Sequence, residues 1–434
     1  MPPGLFLPST VSDYSHWHGD YHTNYNFQQP FWGDYQSNHI EIGDAYFDGM
    51  KYFLQIGRKI AQDYYDYRGV FIQLSGFPIY AEDDYLGIVP MGRMAYMTGW
   101  AMEQYWWRYL YTKDKEWLRD KGYPVIRDCA LFYTDFLKKG DDGLYHAFPS
   151  NQGEDGFTGD PKDYTDRAQV MQHIRYSLRS AIKASEELDM DDDLRAQWQD
   201  RLDNIATDDG KPEPKLDGIE KKCAELNPPA FGIGKSHKPQ LRDTKIEATG
   251  DYSNLWLWSW YFGQATFWIM PQIRGGSFIA DRDFGEFRKL IERWRHPNGI
   301  IWGMAIANYG HCGAWTESLG VIAPLQEMML QSWDGSLRIF PAFPTHLSAS
   351  FYNFRAEGAF LVSAEKQEDY IKYVLVESLA GSPLSIYNPF YSPDKVQIRD
   401  LINGEVVKEE VCPEGEIVKI NTQKGHIYVI KQIE

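Results

Sequence analysis

The sequence has few cysteines, no long apolar run and no excess of positive charge. Its four cysteines, Cys129, Cys223, Cys312 and Cys412, are too far apart for a metal or redox motif, so we expect mostly buried thiols. No apolar run approaches the roughly 18 residues that span a bilayer, so we expect no membrane partner. The formal net charge is −17, and such an acidic surface repels phosphate backbones. Nucleic acid is therefore not an expected partner.

Common catalytic signatures are also missing. The sequence contains no Gly-rich phosphate loop, no HExxH motif and no GxSxG motif. His16, His18 and His22 could suggest a metal, but their neighbours are aromatic and further ligands are missing, so we expect neither a metal nor a cofactor. The N-terminal MPPGLFLPST lacks a basic region and is too short for a secretory signal. We therefore expect a cytoplasmic protein, or a secreted or periplasmic one if the chain is a fragment.

Aromatic residues are abundant, with 15 Trp and 29 Tyr. They suit helix packing, and they also suit carbohydrate-active proteins, because Trp and Tyr combine an apolar face with a polar edge. The stretch His16–Glu41 crowds aromatic, amide and acidic side chains together. In an extended chain Asn24 and Asn26 would point to the same side. This stretch is either a sugar pocket or a loop that caps a helical core.

The chain divides into a helical part and a strand-rich part, and its length allows two or three domains. After Trp333 the pattern changes to short alternating strands, and Asn403-Gly404 predicts a hairpin. We predict a helical domain at 1–338 and an antiparallel β-sandwich at 339–434. Helical spacing occurs at 41–67, 94–112, 116–138, 164–189, 192–206, 252–271, 283–295 and 314–332.

Carboxylates in loops between the predicted helices are the candidate catalytic groups. Glu154 lies in FPSNQGEDGFTGD, and several acids that follow it are expected to be solvated or capping. Asp166 either caps the 164–189 helix or holds the Glu154 loop. Glu317, in HCGAWTESLG, starts the 314–332 helix, where an acid is also favoured by the helix dipole. Asp155, Asp160 and Asp163 are the further acids of the first loop.

Five stretches, in collinear order along most of the chain, resemble glycoside hydrolase family 95, which contains inverting α-L-fucosidases and α-L-galactosidases. HTNYNFQQPFWG resembles the N-x-N-x-x-x-x-Y-W motif of that family, and FPSNQGEDG stands where the family has SPSxSPEN. VPMGRMAYMTGW and the residues up to ALFYTDFL are similar to its WPMGGAW helical hairpin. EMMLQSWDGSLRIFPAFP is close to EMLLQSHDGxIxLLPALP and is the most specific match. FRAEGAFLVSAE resembles LRARGGFEV.

The resemblance implies an (α/α)6 barrel followed by a C-terminal β domain. Members of the family also carry a large N-terminal β domain. Only about twenty residues precede the N-x-N motif here. We therefore expect either a fragment or a truncated relative.

The resemblance also implies roles for single residues. Glu154 corresponds to the general acid, Asn24 and Asn26 to the asparagines that hold the attacking water, and Glu317 to the helper carboxylate. TESLG replaces the family's DGNFG, so Glu317 is one carbon longer and its loop is one residue shorter. Inversion requires the acid and the water-activating group roughly 6.5–9.5 Å apart. Glu154 must also stay protonated, which a dry aromatic pocket favours.

Further residues are candidates for binding the sugar of an oligosaccharide or polysaccharide substrate. Trp32 and Trp315 adjoin the proposed catalytic loops and could stack on the sugar, although barrel packing explains them equally well. His22 could bond a hydroxyl or a backbone carbonyl. The remaining candidates are Gln28 and Trp100. The predicted substrate carries a terminal α-linked L-sugar such as fucose.

Three other interpretations remain open at the level of sequence. Another (α/α)6 enzyme is possible: an α-L-rhamnosidase, a β-L-arabinofuranosidase, a phosphorylase or a polysaccharide lyase. A phosphorylase needs a basic phosphate pocket, which the sequence does not indicate, and the net charge of −17 disfavours the polyanionic substrates of a lyase. A carbohydrate-binding protein without catalysis would keep the aromatic pocket and be insensitive to Glu154→Gln. A helical scaffold without a sugar ligand is the third interpretation.

Overall fold

The N-terminal part of the chain is mainly helical, in a computed structural model that describes residues 21–23, 26–76, 94–148, 150, 165–206, 273–274, 278–295, 319–390 and 395–433. Eight α-helices lie within those ranges. They are α1 (Asp44–Tyr65), α2 (Tyr96–Thr112), α3 (Lys115–Trp117), α4 (Tyr123–Phe136), α5 (Ala168–Leu188), α6 (Asp192–Asp203), α7 (Ala280–Trp294) and α8 (Ile322–Met329).

Local sequence explains where these helices begin and end. α2 is buried along nearly its whole length, because YMTGWAMEQYWWRYLYT is apolar or aromatic on every side, which is typical of a central helix. The helical spacing predicted over 116–138 is confirmed, and it contains a π-helical turn at Leu118–Gly122 between α3 and α4. Pro124 in the first turn of α4 has no N–H, so it cannot continue a regular ladder from the preceding turn.

α5 lies against α2, α4 and α6, and the side chains between them form one large apolar core. This arrangement agrees with helices paired in sequence order. The closed twelve-helix (α/α)6 barrel stays a prediction, because 207–272 and 296–318 lie outside the described residues.

The C-terminal part is an antiparallel β domain. Its main strands are β7 (Ala349–Ala356), β8 (Phe360–Gln367), β9 (Tyr370–Ser378), β10 (Leu384–Tyr387), β11 (Lys395–Asp400), β12 (Val406–Val411), β13 (Ile417–Ile420) and β14 (Ile427–Ile433). The main sheet has the strand order β12-β11-β14-β9-β8-β7, and β10 pairs with β13 in a second layer that shares the same core. The hairpin predicted at Asn403-Gly404 is confirmed between β11 and β12, with Gly404 at φ 79°.

Three short two-stranded sheets accompany the helices, and each brings two loops together. They are β1 (Tyr21–His22) with β2 (Ser75–Gly76), β3 (Leu137–Lys139) with β4 (Tyr145–Ala147), and β5 (Leu330–Gln331) with β6 (Arg338–Ile339).

Hydrogen bonds join the helical part to the β domain. The Arg355 N–H donates to the Gln36 carbonyl at 2.8 Å, and the Gln36 side-chain amide donates to the Leu330 carbonyl at 2.6 Å. The turn between β7 and β8 reaches the end of α2, where the Gly358 N–H donates to the Leu110 carbonyl at 2.8 Å. The last helix therefore passes directly into the β domain rather than through a free linker.

Two of the four cysteines, Cys129 and Cys412, are buried free thiols, as predicted. Cys223 and Cys312 lie outside the described residues.

Candidate functional site

The residues around Asn24 and Asn26 are held by the short sheet β1–β2. Thr23, directly before Asn24, donates its N–H to the Leu74 carbonyl at 2.7 Å and its hydroxyl to the Gln73 carbonyl at 2.6 Å. Asn26 lies in a turn, and the Phe27 N–H donates to the His22 carbonyl at 2.8 Å. Asn24 lies outside the described residues, so the expectation that the two asparagines point to the same side stays a prediction.

The other candidates near this turn are mostly buried. His22 is 8% exposed and Gln28 is 1% exposed, and the Gln28 side-chain amide donates to the Thr23 carbonyl. Trp32 is 6% exposed and lies in the apolar core. In this conformation Gln28 and Trp32 support the turn from within the core.

The start of α8 lies against the same turn. A Cβ built on Gly320 would lie 2.0 Å from the Gln29 side-chain nitrogen, so the absence of a side chain at 320 permits this contact. One turn further on, the Gln326 side-chain amide donates to the Gly33 carbonyl at 3.1 Å. The structure therefore brings Gly320 and Gln326 against Gln29 and Gly33.

The Glu154 stretch joins β4 to α5. Asp166, which lies just after it, adopts a left-handed conformation with φ 54°. The prediction that Asp166 caps the helix is wrong, because the N-cap of α5 is Arg167, whose side chain makes no capping hydrogen bond. Asp166 instead accepts a hydrogen bond from the Ala147 N–H at 2.8 Å. The alternative prediction, that Asp166 holds the Glu154 loop, agrees with this contact.

The first turns of α2 and α5 also meet. His173 stacks on Trp100 with ring centroids 5.7 Å apart, and Trp100 is 2% exposed. The Thr98 hydroxyl accepts a hydrogen bond from the Ile72 N–H at 2.9 Å, which links α2 to the segment that carries β2. The N-terminal ends of α2, α5 and α8 thus lie near the turn at residues 22–28.

Below these helix ends lies a polar interior that the sequence patterns did not reveal. Glu103 of α2 and His173 of α5 are each 1% exposed at the side chain, and 3.5 Å separates Glu103 Oε1 from His173 Nδ1. Arg274 forms a buried ion pair with Glu327 of α8 at 2.7 Å. The signal was a charged residue inside an otherwise apolar helix, as in WAMEQYWW, but spacing alone does not tell a buried glutamate from an exposed one.

Burial determines the charge of this pair. It raises the pKa of Glu103 well above the usual range, which the more distant Arg274 only partly opposes, and it lowers the pKa of His173 to about 3. Both side chains are therefore uncharged at neutral pH. Asp34, near the turn at 22–28, has its pKa raised to about 7 by burial and by Glu41. Burial thus favours the protonated forms of Asp34 and Glu103.

Asn24, Glu154, Trp315 and Glu317 lie outside the described residues. The described residues on either side of these stretches include Thr23, Ala147, Asp166 and Gly320. Within the described ranges no cluster of three or more His, Cys, Asp or Glu side chains is arranged to hold a metal ion. In the same ranges, every helix is too short or too polar to cross a membrane.

Comparison with known proteins gives one family. Residues 8–216 match the glycosyl hydrolase family 95 catalytic domain. Over 147 residues the chain is 35% identical to alpha-L-fucosidase 2 of Arabidopsis thaliana, a match that covers 33% of this chain and 17% of that protein. Over 107 residues it is 30% identical to kojibiose hydrolase of Flavobacterium johnsoniae, covering 25% of this chain and 16% of that protein.

Each match therefore spans less than a fifth of the curated relative. Among solved structures, the α-L-rhamnosidase of Dictyoglumus thermophilum gives a TM-score of 0.41 at 12% identity, covering 90% of this chain and 46% of that one. The family match covers just under half of the chain and includes both Asn24 and Glu154. Residues 8–216 are therefore similar to the catalytic domain of glycoside hydrolase family 95, and the curated alpha-L-fucosidase relatives support a family 95-like assignment.

Proposed function

We propose that this protein is an inverting exo-glycosidase that removes a terminal α-linked L-sugar, fucose or a related sugar, from a glycan. In this proposal Glu154 is the general acid. Asn24 and Asn26 hold the attacking water, and Glu317 supplies the negative charge that activates it, because an amide is a weak base by itself. The helical part is proposed to be a complete (α/α)6 barrel.

The observation that carries the proposal is the contact of the start of α8 with residues 29–33. Gly320, three residues after Glu317, lies against Gln29, three residues after Asn26, and the Gln326 side-chain amide donates to the Gly33 carbonyl. A water molecule needs both groups within hydrogen-bond reach. This approach supports a shared role for the two stretches.

The electrostatics of the region support an acid on the leaving-group side. An inverting glycosidase needs one carboxyl group protonated and one ionised. Asp34 and Glu103 retain protons near neutral pH because they are buried. In this proposal Glu154 retains its proton for the same physical reason.

A second substrate class has a specific observation behind it. The relative from Flavobacterium johnsoniae is named kojibiose hydrolase, and its identity of 30% is close to the 35% of the fucosidase. An α-linked D-glucosyl disaccharide is therefore the second candidate substrate.

The test is hydrolysis of aryl α- and β-glycosides of L-fucose, L-galactose, L-rhamnose, L-arabinose and D-glucose, together with kojibiose, with anomer formation followed by proton NMR. We expect the wild type to release one sugar with inverted configuration. Glu154→Gln should lower kcat for an unactivated leaving group by about 10²–10⁴-fold, because it removes the general acid. Glu116→Gln, at an exposed site on α3, is the control and should retain activity.

Each outcome separates the alternatives. Turnover that survives in Glu154→Gln would refute the assignment of the acid and direct attention to Asp155, Asp160 or Asp163. Release of a sugar with retained configuration would exclude the inverting mechanism. Sugar binding without turnover on any substrate would favour a carbohydrate-binding protein.

A further inference from the structure

Both ends of the segment that contains Glu154 are fastened to each other. The Asp166 N–H donates to the Ala147 carbonyl at 3.0 Å, and the Ala147 N–H donates to Asp166 Oδ1 at 2.8 Å. The Arg167 N–H also donates to the Ser150 hydroxyl at 2.9 Å. Residues on either side of 151–164 are therefore joined before the chain enters α5.

A histidine between two carboxylates completes this fastening. His146 Nδ1 lies 2.5 Å from Asp166 Oδ2, and His146 Nε2 lies 3.1 Å from both oxygens of Asp142. An ionised carboxylate only accepts hydrogen bonds, so both ring nitrogens donate and the ring is an imidazolium. Burial lowers the pKa of His146, but the bonds to Asp166 and Asp142 outweigh it and raise the pKa above the usual value.

The arrangement is more than a surface ion pair. The Asp166 side chain is 5% exposed, and the His146 side chain is 28% exposed. A buried carboxylate needs a charged or hydrogen-bonded partner, and Asp166 has both, in His146 and the Ala147 N–H. The left-handed φ of 54° at Asp166 directs its side chain back to β4 instead of forward into α5.

We propose that Asp142, His146 and Asp166 form a positioning unit that fixes the segment carrying the general acid, an inference that rests on Glu154 having that role. A general acid must lie within hydrogen-bond distance of the leaving-group oxygen. A displacement of 1 Å can reduce the rate by about 10²-fold. In this proposal the three residues act on the reaction through the position of Glu154.

The first test compares leaving groups. In His146→Phe the ring remains but both donors are lost. We expect kcat for an alkyl glycoside to fall by about 10²-fold, because this leaving group needs the acid. The kcat for a 2,4-dinitrophenyl glycoside, whose leaving group needs no proton, should change less than threefold. His146→Asn, which keeps a donor near the Nδ1 position, should restore most of the lost rate.

The C-terminal domain offers a matched control. His426 Nδ1 lies 2.6 Å from Asp400 Oδ2, and Asp400 is 1% exposed, so the pair resembles His146–Asp166 in geometry and burial. His426→Phe should lower the stability of the protein and leave the ratio of kcat for the alkyl and 2,4-dinitrophenyl glycosides unchanged. An equal loss of rate on both substrates in His146→Phe would show a general structural role and overturn the inference.

A second readout does not need activity. Hydrogen–deuterium exchange of peptides covering 148–165 should be faster in His146→Phe than in the wild type and in His426→Phe. If the wild type hydrolyses no substrate, the proposed function fails, and unchanged exchange in His146→Phe would overturn the fastening independently. If exchange rises but Glu154→Gln shows no dependence on the leaving group, the segment is fastened without positioning an acid, which also refutes the inference.

Discussion

Glu103 and His173 are buried together without charge, and this makes the stability of the protein depend on pH. The unfolded chain would ionise Glu103 above about pH 4.3, whereas in the folded protein burial keeps it protonated. The folded state therefore loses stability as pH rises, by up to about 1.4 kcal/mol per pH unit, until the raised pKa is reached. His173 has the opposite effect: below about pH 6.5 the folded state loses stability as pH falls. The histidine of the unfolded chain binds a proton there, whereas the buried ring stays neutral.

Glu103→Gln isolates the contribution of the carboxyl group. The amide has the same shape and no titration, so the variant should gain stability relative to the wild type as pH rises from 5 to 8. The measurement is the free energy of unfolding in urea at several pH values. A difference between wild type and variant that does not change with pH would contradict the neutral state of Glu103. Glu116→Gln, at an exposed position, should give such a constant difference.

Residues of this kind are where prediction from the sequence is weakest. From the sequence alone, Glu103 resembles an ordinary exposed polar residue of a helix. Its burial depends on α5, which begins 65 residues later, at Ala168. The role of Asp166 was open for the same reason, since a left-handed backbone at 166 follows from the pairing with Ala147 and not from its neighbours.

At the scale of elements, the packing of α2 on α5 depends on Gly99. A Cβ built on Gly99 would lie 2.8 Å from the Cβ of His173 and 2.9 Å from its carbonyl oxygen. Neither atom can move without moving the backbone of α5. We expect Gly99→Ala to destabilise the protein by about 1–3 kcal/mol, as measured by urea unfolding.

Gly285 of α7 is the matched control for this prediction. Within the described part of the chain, no atom lies within 4 Å of a Cβ built there. Gly285→Ala should therefore stabilise the protein by about 0.4–1 kcal/mol, because alanine restricts the unfolded chain. Equal effects of the two substitutions would mean that Gly99 is not a packing constraint.

Elements were the level at which the sequence was most informative. The helices α1, α2, α5 and α6 and the hairpin at Asn403-Gly404 follow from local periodicity and turn chemistry. The interruption at Leu118–Gly122 was missed because the apolar spacing continues through it.

At the scale of the whole molecule, the junction between helices and sheet contains a buried ion pair. Asp334 and Arg338 are 2.6 Å apart at the closest atoms, with side chains 0% and 2% exposed. The Arg338 guanidinium also lies over the Tyr387 ring at 4.2 Å. Removing one charge leaves the other buried, which typically costs about 3–5 kcal/mol.

We therefore expect Asp334→Asn to lower the melting temperature of the helical part and the β domain together. Differential scanning calorimetry should show a single unfolding transition in the wild type and in Asp334→Asn, at a lower temperature in the variant. Two transitions of which only one moves would contradict the coupling. Glu286→Gln, which breaks an exposed pair with Lys289, should leave the melting temperature almost unchanged.

Position 166 must meet two demands that few amino acids can meet together. Its left-handed backbone favours glycine, asparagine and aspartate, and its contact with His146 and Ala147 requires a short carboxylate. Asparagine accepts the left-handed backbone but lacks the carboxylate charge. Glutamate is too long for these contacts and does not favour a left-handed backbone. In a library of all twenty residues at this position, selection for hydrolysis should return aspartate most often and asparagine second. The set of residues that retain activity should be smaller than the burial of the site alone would predict.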